Sequence, residues 1–215
     1  MYSKLFWDNL YQTHLNDVPW MSDMHSQIHL NIINQYVDSV RGKHILDYGC
    51  GNGKIAYYYY KLGAELTLVD ISDTLVTKLR KEYKDTDIKI RTATTPFDLS
   101  NIFNTFDIVM ACALLHHIRP DLWNSFLNGF FELTKLSGIV IISGWDNSDI
   151  LFSKTNIAPY TKEPTWPINK LHDTIISNGL FEITHEFRYQ YSLPQYFKEN
   201  RVFRYYILKV KQKNQ

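Results

Sequence analysis

The sequence predicts a doubly wound α/β fold, and three observations lead there. Short β-branched runs alternate with helical stretches through the middle of the chain. The runs are apolar almost throughout, the pattern of parallel strands covered on both faces. A glycine-rich turn joins the first run to the first helix of the alternation, where open α/β sheets bind their ligands.

Taken in order, residues 44–49 read as a strand, followed by the glycine turn and a helix over about 53–62. Residues 65–70 form a second strand and 73–84 a helix. Residues 87–93 and 106–113 are the third and fourth strands. A helix near 120–136 leads to a fifth strand at 138–143. Residues 1–40 read as a helical cap, with apolar positions at Ile28, Ile32, Ile33, Tyr36 and Val37. Residues 144–168 lack a clear period and carry Pro159, Pro164 and Pro167 among aromatic side chains, the pattern of an acceptor-side lid. A last helix from Leu171 stops at Gly179 as a C-cap. The runs 181–193 and 201–210 are separated by a short loop and pair antiparallel. The four tyrosines 57–60 point all round a helix, so some are core and some are wet.

With 215 residues, 45% of them hydrophobic, the chain suits one domain over 1–215 with a substantial core. A net charge of +1 gives no electrostatic reason to expect nucleic acid. The one basic cluster, Lys209, Lys211 and Lys213, reads as a solvated tail. The two cysteines, Cys50 and Cys112, read as reduced thiols of a cytoplasmic protein. The N-terminus lacks the apolar stretch and cleavage site of a signal peptide. No apolar run approaches the roughly 20 residues needed to span a bilayer, so no membrane partner is expected.

The strongest local signal is Asp47-Tyr48-Gly49-Cys50-Gly51-Asn52-Gly53. Its glycines admit close approach of a ligand, and the helix start offers unpaired N–H groups. The spacing is not the G-x-G-x-x-G of dinucleotide sites, because Lys54 stands where the third glycine belongs. Asp47, two residues before the first glycine, would repel a phosphate and suits a cationic group such as an amino-acid ammonium. Asp70, ending the second strand, can accept both hydroxyls of a ribose. One acid near an amino acid and one near a ribose describe S-adenosylmethionine better than NAD.

These segments resemble the motifs of class I S-adenosylmethionine-dependent methyltransferases. Residues 47–53 look like the first motif and 66–70 the second, with its terminal acid. Residues 106–118 are similar to the fourth strand and its sequel, and 136–143 to a weakened fifth-strand segment. The resemblance covers about residues 42–143. It implies a Rossmann-like, seven-stranded sheet, mostly parallel with an antiparallel last strand and helices on both faces. It also implies a cofactor-contact set of Asp47, Gly49, Cys50, Gly51, Gly53, Asp70, Ile71 and Ala111, with Ile71 against the adenine. Many relatives place an acid after the third strand for the adenine amino group. Here Thr94, Thr95 and Pro96 stand there, Asp98 follows, and Thr94 is the expected contact.

The acceptor side falls on other residues. His116 and His117 end the fourth strand. As neighbours on an extended segment they are expected to point opposite ways, one to the acceptor and one into packing. An imidazole there can take a proton from a hydroxyl or amine. Trp145 and Asp146 follow the fifth strand and, with Tyr160, are expected against the substrate. Asp146-Asn147 resembles the metal pair of catechol-type methyltransferases, but the acid those enzymes carry after the fourth strand is missing, so no metal is expected. Trp7, Tyr11 and Trp20 resemble a pattern that precedes the core in some thiopurine- and tellurite-type methyltransferases, where the segment folds over the cofactor. Trp20 is therefore placed at the cofactor, where a ring can meet a sulfonium through cation–π attraction. Nothing resembles the N-P-P-[YF] segment of enzymes that methylate base or glutamine nitrogens. The expected activity is methyl transfer to O, N or S of a small-molecule acceptor. The rivals are an NAD(P)-dependent oxidoreductase and a non-catalytic module that retains the cofactor fold.

Overall fold

A computed structural model of the chain describes residues 3–14, 18–150, 164–192, 194 and 197–211. It holds one seven-stranded sheet in the order β3-β2-β1-β4-β5-β7-β6. The strands are β1 His44–Tyr48, β2 Glu65–Asp70, β3 Lys89–Thr92, β4 Phe106–Ala111, β5 Thr134–Trp145, β6 Phe181–Tyr191 and β7 Arg201–Val210. β1 to β5 pair parallel; β7 runs antiparallel to both β5 and β6. The strand order reverses between β1 and β4, so the crevice opens where those two strands end.

Period-two alternation builds two cores from single strands. Val109 and Ala111 of β4, with Val140 and Ile142 of β5, face one side of the sheet. Ile108 and Met110, with Ile141, face the other. Helix α5 (Trp123–Leu133) covers the first side through Trp123, Phe126, Leu127 and Phe130, the spacing of one helical face. The Trp123 indole N–H donates to the carbonyls of Leu115 (3.2 Å) and Ile118 (3.0 Å), tying α5 to the segment after β4. Helices α3 (Lys54–Lys61) and α4 (Asp73–Glu82) cover the second side. Within α3, Tyr59 is buried and Tyr58 exposed.

The N-terminal helices are α1 (Lys4–His14) and α2 (Asp23–Ile33). Asp8 fastens α1 to the start of α4, accepting from the Ser72 hydroxyl (2.6 Å) and the Thr74 N–H (3.0 Å). At the other end, α6 (Leu171–Asn178) stops on Gly179, whose φ is 76°.

Three boundaries differ from expectation. β5 is longer at both ends, because Thr134 pairs with Phe106 of β4 and β7 pairs with β5 as far as Trp145. The helix expected over 120–136 divides into a 3-10 turn, Pro120–Leu122, and α5. His116 and His117 lie in a 3-10 turn, Leu115–His117, after β4 has ended. Residues 151–163 of the expected lid lie outside the described residues.

Gly129 sits mid-helix in α5. A Cβ there would fall 2.4 Å from Pro96 Cβ. Alanine is the better helix former by about 1 kcal/mol, but overpacking of this kind costs about 1–3 kcal/mol. Gly129→Ala is expected to lower the urea midpoint of unfolding; a raised midpoint would mean that α5 yields freely against Pro96.

Candidate active site

Side chains from the ends of β1, β2, β4, β5 and β7 and from α1 and α2 enclose a cleft of about 1300 Å³, counted with its opening to solvent. One end is built on the glycine turn. Gly49 holds φ 75°, and a Cβ would fall 2.8 Å from the Leu114 side chain, so a side chain is excluded both by conformation and by space. The N–H groups of Gly49 and Cys50 donate to the Val69 carbonyl (2.8 and 3.0 Å), and that of Gly51 donates to Asp70 (3.2 Å). The Lys54 N–H, at the start of α3, donates to Asn52 Oδ1 (3.1 Å). The N–H groups of Gly49, Cys50, Gly51 and Lys54 are thus engaged within the turn and its neighbouring strand.

Asp47 and Asp70 line this end and are both buried. Among the described residues no basic side chain pairs with either. Burial, and then the nearby Asp70 charge, pushes the Asp47 carboxyl up to about 7. Burial raises Asp70 to about 6 against the opposing hydrogen bonds from the N–H groups of Ser72, Gly51 and Ile71. Ile71 and Thr94 also line the cleft. Asp98 accepts from the N–H groups of Thr94 (2.7 Å) and Thr95 (2.9 Å), shaping the turn that presents Thr94.

Trp20 lines the same end, with Trp7 and Tyr11 of α1. Trp7 stacks on Tyr11 at 5.9 Å and meets His117 edge-on at 5.1 Å. Asn52 Nδ2 donates to the Met21 carbonyl (2.9 Å), which holds this cover on the glycine turn.

The two histidines join the ends of the cleft. They do not point opposite ways, because a 3-10 turn sets neighbouring side chains about 120° apart where a strand sets them about 180° apart; both line the cleft, with ring centroids 4.1 Å apart. His117 faces the N-terminal cover, while His116 stacks on Trp145 at 4.8 Å and 8°. Burial holds His116 well below the usual imidazole range and lowers His117 to about 3, so both rings are neutral near pH 7.

Three expected positions are not in the cleft wall. Gly53 is the left-handed N-cap of α3, and a Cβ there would fall 2.9 Å from the Leu68 side chain; its role is in the turn. Ala111 packs inside the sheet on the α5 side, while its successors Cys112 and Ala113 reach the cleft. Asp146 is buried behind the wall: it accepts from the Ser148 N–H (2.9 Å) and hydroxyl (2.6 Å) and from Arg204 Nε (2.5 Å). Its oxygens are engaged in closing the turn after β5. Tyr160 lies outside the described residues.

The far end of the cleft is made by residues that sequence reasoning missed: His25 and His29 of α2, and Tyr191, Phe197 and Phe203 around β6 and β7. His29 Nδ1 meets the Tyr205 hydroxyl at 2.8 Å. The i, i+4 spacing of His25 and His29 and the alternation of Arg201, Phe203 and Tyr205 were the available signals.

Residues 45–138 match the methyltransferase domain family. A ubiquinone biosynthesis O-methyltransferase of Coxiella burnetii is 30% identical over 116 residues, 53% of this chain and 49% of that protein. The chain thus spans about half the length of the curated relatives it matches. Among solved structures, an S-adenosylmethionine-dependent methyltransferase from Anabaena variabilis superposes with a TM-score of 0.77 at 16% identity, covering 98% of this chain and 96% of that one. The 1,6-didemethyltoxoflavin-N1-methyltransferase of Burkholderia thailandensis gives 0.67 at 15% identity, over 96% and 88%. Strand order and the domain match agree: residues 45–138 match the methyltransferase domain family, and the chain as a whole shares the fold of these S-adenosylmethionine-dependent methyltransferase structures.

Proposed function

We propose that this protein transfers a methyl group from S-adenosylmethionine to an O, N or S atom of a small-molecule acceptor. The observation that carries the reading is the pair of buried carboxyls, Asp47 and Asp70, in β1 and at the end of β2 beside the crevice, with no basic partner among the described residues. Two acids without a cationic partner in a dry site suit a ligand that brings a cation to one and hydroxyls to the other. The engaged amides of the glycine turn and the acid at its head count against the pyrophosphate of a nicotinamide cofactor, so the oxidoreductase reading is set aside. Fold alone does not choose between chemistries; these side chains do.

The cofactor, when bound, supplies an electrophilic methyl on a sulfonium. Asp47 holds the amino-acid ammonium, Asp70 the ribose hydroxyls, and Ile71 and Thr94 border the adenine. Trp7, Tyr11 and Trp20 close the site and exclude water. His116 and His117, neutral and at the junction of the two ends, would accept a hydrogen bond from the X–H of the acceptor and orient its lone pair, the proton leaving to solvent water rather than staying on the imidazole. Trp145 fixes the His116 ring by stacking. The expected setting is cytoplasmic, in keeping with two free buried thiols, with no nucleic-acid partner at a net charge of +1. No helix among the described residues is long and apolar enough to cross a membrane.

Asp70→Ala is expected to weaken S-adenosylhomocysteine binding by about tenfold or more, the loss of a charge-assisted hydrogen-bond pair. Isothermal titration of the variant and the wild type, with NADH as a parallel ligand, measures it. Unchanged affinity, or tight NADH binding alone, would overturn the cofactor assignment.

The raised carboxyls set a pH dependence. Their folded values lie above the ordinary carboxylate value, so in the cofactor-free protein they favour the folded state below about pH 4, and this is lost as pH rises through about 6 to 7. Binding a cation needs the ionised forms, so the rise in melting temperature caused by the ligand is expected to grow from about pH 5 to about pH 8. In Asp47→Asn the upper part of that rise should be lost. A flat profile in the wild type would sink the role of the two acids.

His116→Ala is expected to lower turnover of labelled methyl about a hundredfold, with S-adenosylhomocysteine affinity held within about twofold. Wild-type turnover in the variant would make His116 a packing residue.

A further inference from the structure

Arg201 opens β7 and is 1% exposed. Its Nε donates to both oxygens of Asp149, at 2.8 and 3.1 Å. Asp149 is itself fully buried and also accepts from the Val202 N–H at 2.8 Å. The rings of Trp145 and Phe197 each lie 4.3 Å from the central carbon of the guanidinium. Nη1 and Nη2 are sealed from solvent and meet no hydrogen-bond partner among the described residues. Of the five N–H donors of an arginine, four are therefore left unmet in a dry place. Buried donors are rarely left so, and where they are, a partner is missing.

The position suggests which partner. Trp145 and Phe197, which flank the guanidinium, line the acceptor end of the cleft together with Tyr191 and Phe203. The guanidinium thus lies one ring deep behind that wall. Its charge is already cancelled by Asp149. The cleft holds two further carboxyls, Asp47 and Asp70, and no Lys or Arg among its lining residues. A carboxylate entering here would meet no uncompensated cation, and its desolvation would oppose entry. A neutral sp² oxygen brings lone pairs to the Nη edge without that penalty. The aromatic walls suit a flat ring, stacked or edge-on.

We infer that the acceptor is a planar, uncharged ring compound whose carbonyl oxygen seats on the Nη edge of Arg201. Trp145 and Phe197 are the rings that border that edge. The inference rests on the proposed function in one respect, that the acceptor takes the Trp145 end while the cofactor takes the Asp47 and Asp70 end.

The test uses ¹⁵N-labelled full-length protein, with and without S-adenosylhomocysteine, titrated with benzamide, benzoate and ethylbenzene. Benzamide is expected to move the Arg201 Nη resonances and to bind the wild type about tenfold more tightly than Arg201→Lys, which keeps the charge but loses the planar fork. Ethylbenzene should bind both within about twofold. The inference is overturned if none of the probes moves the Nη resonances, or if benzoate is the tighter probe in an Arg201-dependent way. Should Arg201→Lys fail to fold, the wild-type resonances decide alone. A wild type that binds benzamide at Arg201 but not S-adenosylhomocysteine would sink the cofactor reading and leave this one standing.

Discussion

Two buried carboxyls at neighbouring strands, with no basic partner among the described residues, are the constraint on which this site depends. Asp47 of β1 lies opposite Leu68, two residues before Asp70 of β2, so parallel pairing puts both carboxyls at the same end of the cleft. The glycine turn between them is engaged with its neighbours: the Gly51 N–H supports Asp70, and the Gly49 and Cys50 N–H groups engage Val69. Neutralisation of one carboxyl by a proton or of both by a ligand is how such a pair persists in a dry place. Stability, cofactor choice and pH response thus share one origin.

The remainder of the cleft is apolar, and its parts come from distant stretches of chain. The N-terminal cover is fastened by Asp8 at the head of α4 and by Asn52 on the turn. The acceptor end is fastened by the buried Arg201–Asp149 pair and by Arg204, which bridges Asp146 and Glu186. Polar fasteners lie behind the walls and aromatic faces form them. This gives a site that excludes water while its shape is held by directional contacts.

The histidine turn links these halves mechanically. Trp123 holds the carbonyls before and after it, and the His116 carbonyl accepts from the Trp166 N–H (2.9 Å). The rings it presents are neutral because they are dry, which suits them to accept a hydrogen bond better than to carry a charge.

The sequence by itself determined the sheet: each strand is a local apolar run, each helix a local periodicity, and these are properties of neighbours in the chain. It also brought Asp47, Asp70 and the glycine turn to one end of the cleft, because they lie in and between adjoining strands. Only the tertiary structure decided the far end of the cleft. Whether Asp146 faces the cleft or Arg204 depends on where β7 lies, and whether His25 and His29 are core or wall depends on strands near the other terminus; His29 meets Tyr205 across 176 residues of chain. Such contacts leave no local pattern, because a buried arginine or histidine is tolerated only by partners that the fold brings to it.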